Sequence, residues 1–142
     1  MRSRLWLFLW ILGILFPMAF LGSLWPAFGH VFNAVFSPGW MHVAMHAFLY
    51  AVLVFLLSQW IKPTAIKSIV ILFGLVLFVG CLHESFQILA ITRWTGFVQG
   101  IVETWPAEVF DLIVDLCGAV LGLALARAIA IILLQRDYGP RF

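Results

Sequence analysis

Residues 68–82 read SIVILFGLVLFVGCL and contain no charged side chain. A soluble fold has few places for so long an apolar run, whereas a helix in lipid satisfies its own backbone hydrogen bonds and exposes only its side chains. Beyond the polar residues 83–85 the chain is again mostly apolar to Ile91, which gives the segment the length that crosses a bilayer. It therefore predicts a membrane-spanning helix.

The rest of the chain has the same character. Of its 142 residues, 65% are hydrophobic and 10% are charged, against about 25% charged in a typical soluble domain. The formal net charge is only +2, and no Lys/Arg cluster alternates with aromatic residues as in a nucleic-acid groove. The sequence thus predicts a membrane protein that does not bind nucleic acid, with residues 1–142 forming a single transmembrane domain.

Four apolar segments are long enough to be spans, since a span needs about 20 residues. They are residues 5–24, 41–61, 68–91 and 108–134. Pro17 should kink the first span because it removes a backbone donor. Residues 25–40, bounded by Trp25 and Trp40, are interpreted as a loop or short helix lying in the membrane interface. The predicted fold class is all-α, an integral membrane four-helix bundle.

Basic residues predict the orientation of the bundle. All but one of them lie at the same side of the predicted spans, at Arg2, Arg4, Lys62, Lys67, Arg127, Arg136 and Arg141. Only Arg93 falls in a loop on the opposite side. By the positive-inside rule, the N and C termini are both cytoplasmic. The predicted localisation is the bacterial inner (plasma) membrane, as a multi-pass protein.

Polar residues inside the predicted spans are the main candidates for function. They are His42, His46, His83, Glu84, Gln87, Asp111 and Asp115. With the orientation above, His46, Glu84 and Asp115 each lie about 8–10 Å below the outer end of their spans, at 1.5 Å per residue. One interpretation is a polar pocket in the outer leaflet, covered by a loop at residues 92–106, since ionisable groups within a membrane usually serve a function. The other is a packing network of interhelical hydrogen bonds, worth about 0.6 kcal/mol each.

Metal and pigment sites are alternatives for the histidines. His42 and His46 share a helix face, and residues 83–87 (HESFQ) add a histidine and a glutamate, so a zinc or two-metal site on three helices is one interpretation. The segment is not H-E-x-x-H, however. A haem or chlorin from a partner, bound by His30 and His42, is another. The sequence favours interfacial histidines with hydrated rings, and it predicts no metal and no cofactor.

Other residues receive structural interpretations. Cys81 and Cys117 are expected to be small apolar core residues rather than a disulfide. Glu108 is expected to be an ordinary acid in the first turn of a helix. Gly118 and Gly122 form a small-xxx-small pair, which predicts close helix packing.

The polar residues also resemble the pattern of the VanZ-like membrane family. Residues 46–50 (HAFLY) are similar to its histidine motif, residues 84–87 (ESFQ) match its E-x-x-Q, and Arg93 stands where an arginine usually follows. A final motif, D-x-x-x-N-x-x-G-x-x-x-G, is similar to residues 111–122, DLIVDLCGAVLG. The sequence departs from the pattern in a longer stretch between Arg93 and Asp111, and in Asp115 where the family has Asn.

The resemblance implies a VanZ-like protein of the cell envelope, a family whose named member is associated with low-level antibiotic resistance to teicoplanin-type glycopeptides. It implies that the pocket binds an amphiphile such as a lipid-linked envelope precursor or a glycopeptide. The expected ligand-binding residues are His46, Glu84, Gln87, Arg93, Asp111 and Asp115.

Two other functions fit the composition. A small accessory subunit of a larger photosynthetic or respiratory membrane complex would use the 16% of aromatic residues as packing surface toward other membrane subunits. A membrane enzyme could use Glu84 or Asp111 as a general acid or base. No catalytic residue is assigned, and the sequence favours a protein that is not an enzyme and whose partner is membrane lipid.

Overall fold

The computed structural model describes residues 2–16, 21, 24–36, 38–92 and 96–138. Within these ranges the protein is all-α. The described residues form the helices α1 (Arg2–Leu15), α2 (Pro26–Phe36), α3 (Gly39–Ile61), α4 (Ile66–Thr92) and α5 (Phe97–Tyr138).

Three of these helices contain stretches long and apolar enough to cross a membrane. The stretches are Gly39–Ile61, Ile66–Leu89 and Val98–Gln135. Many of their large apolar side chains are exposed, above all on α4 and α5, as expected where lipid is the solvent. The chain therefore has the features of a multi-pass α-helical membrane protein, and the predicted spans 41–61 and 68–91 agree closely with α3 and α4.

The first predicted span, residues 5–24, is described only in part. Helix α1 has 14 residues, about 21 Å at 1.5 Å per residue, which is shorter than the roughly 30 Å hydrocarbon core. Pro17 and its predicted kink lie outside the described residues. A fourth membrane crossing stays a prediction. Residues 25–40 contain α2, a short helix, which is one of the two forms expected there.

The loop expected at residues 92–106 was wrong for residues 97–106, which are helical, while the membrane span predicted at 108–134 stays a prediction. Helix α5 begins at Phe97 and continues through Pro106. The Gln99 side-chain amide donates to Glu103 Oε1 at 2.7 Å, an i,i+4 pair that supports the first turns. Pro106 removes one backbone donor, a loss that membrane helices tolerate, so it does not mark the start of the helix.

Close packing of α5 on α3 sets the register of the bundle. A Cβ atom at Gly118 would lie 2.7 Å from Cα of Ala47, and one at Gly122 would lie 2.8 Å from Cα of Ala51. Only glycine allows the two backbones to come this close, so the predicted small-xxx-small packing surface is confirmed. The two helices run parallel, because both positions advance together by four residues.

The middle of the bundle is an apolar core. Tyr50, Leu53, Leu72 and Val76 are completely buried between α3, α4 and their neighbours. Helix α1 is held to α3 by the Trp10 indole N–H, which donates to the carbonyl of Leu49 at 2.9 Å. The cysteines are free, as expected, but both are exposed on the outer surface, so their assignment to the core was wrong.

Basic residues gather at one end of the bundle. The Arg4 guanidinium lies 4.7 Å from the centre of the Trp60 ring, and Arg127 donates to the carbonyl of Pro63 at 3.2 Å. These contacts bring the start of α1 and the later part of α5 to the turn that joins α3 to α4. His42, at the start of α3, lies toward the opposite end.

Candidate functional site

Two histidine–aspartate pairs join α3 to α5. His42 Nε2 lies 3.0 Å from Asp111 Oδ1, and His46 Nδ1 lies 2.9 Å from Asp115 Oδ1. In both pairs the two residues are 69 positions apart in the sequence. The separations are equal because α3 and α5 run parallel, so that the second pair lies one helical turn after the first on both helices. The glycine contact between the same two helices places these side chains within reach of each other.

The inner pair is almost completely buried. His46 and Asp115 are each 1% exposed. With Nδ1 engaged by Asp115, the other ring nitrogen, Nε2, is buried and has no hydrogen-bond partner among the described residues. The outer pair is more accessible, since the His42 side chain is 39% exposed.

Helix α4 adds a second set of polar groups. The rings of His83 and His46 stack with their centres 5.4 Å apart. The Gln87 amide lies 3.2 Å from His83 Nε2 and donates to Glu84 Oε2 at 3.4 Å. Glu84 is 5% exposed, and its Oε1 has no hydrogen-bond partner within the part of the chain described.

Three carboxylates meet where α4 faces α5. Carboxylate oxygens of Glu84, Glu108 and Asp111 all lie within 4.8 Å of one another. Glu108 was expected to have no role, and this was a missed site residue. Its spacing was the available signal, because Glu108 is three residues before Asp111 and therefore on the same helix face.

The polar cluster is defined here as the seven side chains of His42, His46, His83, Glu84, Glu108, Asp111 and Asp115. Of the six residues predicted to bind a ligand, five lie in this cluster or contact it: His46, Glu84, Gln87, Asp111 and Asp115. The sixth, Arg93, lies outside the described residues. Among the described residues, no Lys or Arg forms an ion pair with any acid of the cluster.

A cavity of about 450 Å³ opens beside the polar cluster. Its floor includes His42, His46, His83 and Gln87. One wall is α2, whose Phe28, Phe32 and Phe36 rings pack in a row along a single face with ring centres 5.8 and 4.6 Å apart. The other walls come from α1, at residues such as Gly13 and Ile14, and from Met45 and Leu49 of α3.

A second cavity of about 550 Å³ lies at the basic end, between the α3–α4 turn and α5. Lys62 and Arg127 line it. Its buried polar side chain, Ser58, donates to the carbonyl of Phe55 at 2.7 Å and is therefore already satisfied. Of these two cavities, the one beside the polar cluster is the better candidate site, because it adjoins buried polar atoms that lack partners in the described structure.

Comparison of the chain with protein-family models, with curated proteins and with solved structures finds no match. The VanZ-like resemblance accordingly stays a prediction that rests on the residues quoted for it. The arrangement of the site is the basis for assigning a function.

Proposed function

We propose that the protein binds a membrane amphiphile in the cavity between α1, α2 and α3. The proposal rests on the two kinds of side chain that line this cavity. Aromatic and aliphatic side chains form one side of it, and imidazole and amide groups form the other. Its volume of about 450 Å³ falls in the range of small-molecule sites, about 300–1,000 Å³. An apolar chain fits against the phenylalanines of α2, and a polar head group fits against the histidines and Gln87.

The amphiphile we propose is an envelope lipid precursor or a glycopeptide, bound by a VanZ-like protein. This follows from the resemblance of residues 46–50, 84–87 and 111–122 to that family. The positions of those segments support this proposal, because each segment contributes at least one side chain to the polar cluster.

We propose that the site lies in the outer leaflet, with both termini in the cytoplasm. The basic residues Arg4, Lys62 and Arg127 gather at the end of the bundle away from the polar cluster, and cytoplasmic ends of membrane proteins are enriched in such residues.

Cysteine labelling tests this orientation. Single cysteines at exposed Thr64 and Gln99, in a chain with Cys81→Ala and Cys117→Ala, mark the two ends of the bundle. We expect a membrane-impermeant maleimide to label the Gln99→Cys chain in right-side-out vesicles and the Thr64→Cys chain only in inverted vesicles. The reverse pattern would place the site on the cytoplasmic side and refute the outer-leaflet assignment.

Filling the cavity tests the binding function. Gly13 lines the cavity, and a Cβ atom there meets nothing within 4 Å, so Gly13→Leu should occupy the space without disturbing the backbone. We expect the variant to retain about one tenth of the amphiphile that co-purifies with the wild type in mild detergent, a change equivalent to about 1.4 kcal/mol. Mass analysis of extracted lipids measures the loss.

Gly74→Leu is the matched control. Gly74 lies on α4 away from the cavity, and a Cβ atom there also meets nothing within 4 Å. The control should keep the wild-type lipid content. Equal lipid content in all three proteins would refute binding in this cavity. Stoichiometric co-purification of large membrane subunits, with no amphiphile, would instead support the accessory-subunit function.

A further inference from the structure

The polar cluster contains overlapping sets of metal-ligand atoms. Ligand atoms of His42, His46 and Asp111 all lie within 4.8 Å of one another, and Glu84 is that close to both His46 and Asp111 in two further sets. We propose that these four side chains bind one divalent transition-metal ion of the zinc class, joining α3, α4 and α5. This site shares His42 and His46 with the proposed head-group site, but it is inferred from the distances between ligand atoms, and it replaces the sequence-based expectation of no metal.

The hydrogen bond of His46 suits a metal ligand. Histidines that bind metals usually donate their other ring N–H to a carboxylate, which orients the ring. Asp115 makes this contact with His46 Nδ1 at 2.9 Å, and the remaining Nε2 is buried without a partner among the described residues. Asp115 is therefore a positioning residue rather than a ligand.

The ligand atoms of His42 and Asp111 are already close enough together to bind the same ion. His42 Nε2 and Asp111 Oδ1 are 3.0 Å apart, a separation compatible with two atoms that each lie about 2.0–2.2 Å from one zinc ion. His42 also lines the cavity. An ion in the cavity would therefore reach the ligand atoms when the accessible His42 ring moves.

Charge provides the second argument. Glu84, Glu108, Asp111 and Asp115 place four acids in an apolar bundle, and Lys and Arg of the described residues form no ion pair with them. An ionised carboxylate inside a membrane span is costly unless a partner offsets its charge. A divalent cation would offset this cost, and the buried Glu84 Oε1, which lacks a hydrogen-bond partner within the described ranges, would gain one.

The mixture of donors selects the metal class. Two imidazoles with two carboxylates favour zinc and its first-row neighbours, whereas calcium and magnesium prefer sites made of oxygen alone. Four protein ligands in a tetrahedral arrangement are typical of structural zinc. The ion would then act as a cross-link between the three helices.

Metal binding by the full chain in detergent tests the inference. The protein is stripped with a chelator and titrated with Zn²⁺ or Co²⁺ alone. We expect about one ion per chain by elemental analysis, a visible Co²⁺ spectrum of four-coordinate intensity, and a higher melting temperature with Zn²⁺. A wild-type protein that binds neither ion would overturn the proposal.

Variants show which residues bind the ion. We expect His42→Ala and Asp111→Asn to weaken Co²⁺ binding by more than the roughly tenfold to hundredfold that is lost when only a group supporting a ligand is removed. His30→Ala and Glu103→Gln are matched controls, because both residues are exposed and lie outside the cluster; they should bind as the wild type does. Equal affinity in all five proteins would place the metal elsewhere and refute this site.

Failure of the metal site and failure of amphiphile binding are distinguishable. Gly13→Leu changes no proposed ligand, so it should lose lipid but bind Co²⁺ with wild-type affinity. If a variant does not fold, the Co²⁺ spectrum of the wild type still shows whether the bound ion is four-coordinate, and a six-coordinate spectrum would contradict the proposed site.

Discussion

Gly118→Leu is expected to destabilise the bundle strongly. The new Cβ would press on the backbone of Ala47 rather than on a flexible side chain, so α5 has to move away from α3. Overpacking of a tight interface costs about 1–3 kcal/mol and occasionally more, and a clash with backbone belongs at the upper end of that range. The midpoint of SDS-induced unfolding, followed by circular dichroism of the purified protein, measures the effect.

Gly74→Leu provides the control for this experiment. It makes the same chemical change at a helical glycine where nothing lies within 4 Å, so its unfolding midpoint should equal or slightly exceed that of the wild type, since leucine is the better helix former. Equal midpoints for the two variants would show that the contact of α3 with α5 is not set by Gly118.

Asp115→Leu is expected to destabilise the protein far more than the same change combined with His46→Leu. Removing the aspartate alone leaves the buried His46 Nδ1 without its partner, at a cost of about 1–3 kcal/mol. Replacing both members of a buried pair by apolar residues is often neutral or stabilising. The three proteins are compared by SDS unfolding in the presence of a chelator, so that bound metal does not contribute.

The comparison separates stability from function. If the double variant regains stability but binds neither Co²⁺ nor lipid, the His46–Asp115 pair serves the site rather than the fold. If Asp115→Leu alone has no effect on stability, this contradicts the buried hydrogen bond described here. The His42→Leu/Asp111→Leu double variant is a useful comparison, because that pair is more exposed and should affect stability less.

The sequence predicted the parts of the fold that depend on hydropathy. Helices α3 and α4 begin and end close to the predicted bounds, because their apolar runs stop at Lys62 and Pro63 or at charged residues. The start of α5 was mispredicted because Pro106 was given the weight it has in a soluble helix. In lipid, neighbouring groups compensate for a proline more readily.

The site was predictable as far as depth and helical spacing allow. His46, Glu84 and Asp115 were expected at a common depth, and the structure brings them together. The sequence did not predict that α2 forms an aromatic wall, nor that Glu108 turns toward Glu84, since both depend on how separate helices rotate against each other. Hydropathy places residues along the membrane normal but does not fix rotation about a helix axis.

The length of α5 has a consequence for how a ligand reaches the site. The helix has 42 residues, about 60 Å at 1.5 Å per residue, twice the roughly 30 Å of a hydrocarbon core. Its first residue stands about 20 Å along the axis from Asp111, so this part of α5 extends well beyond the site. A water-soluble ligand would approach the site along this extension. The cavity is bordered by α1 and α2, and we expect a lipid to enter it laterally from the bilayer, which would favour ligands that are already dissolved in the membrane.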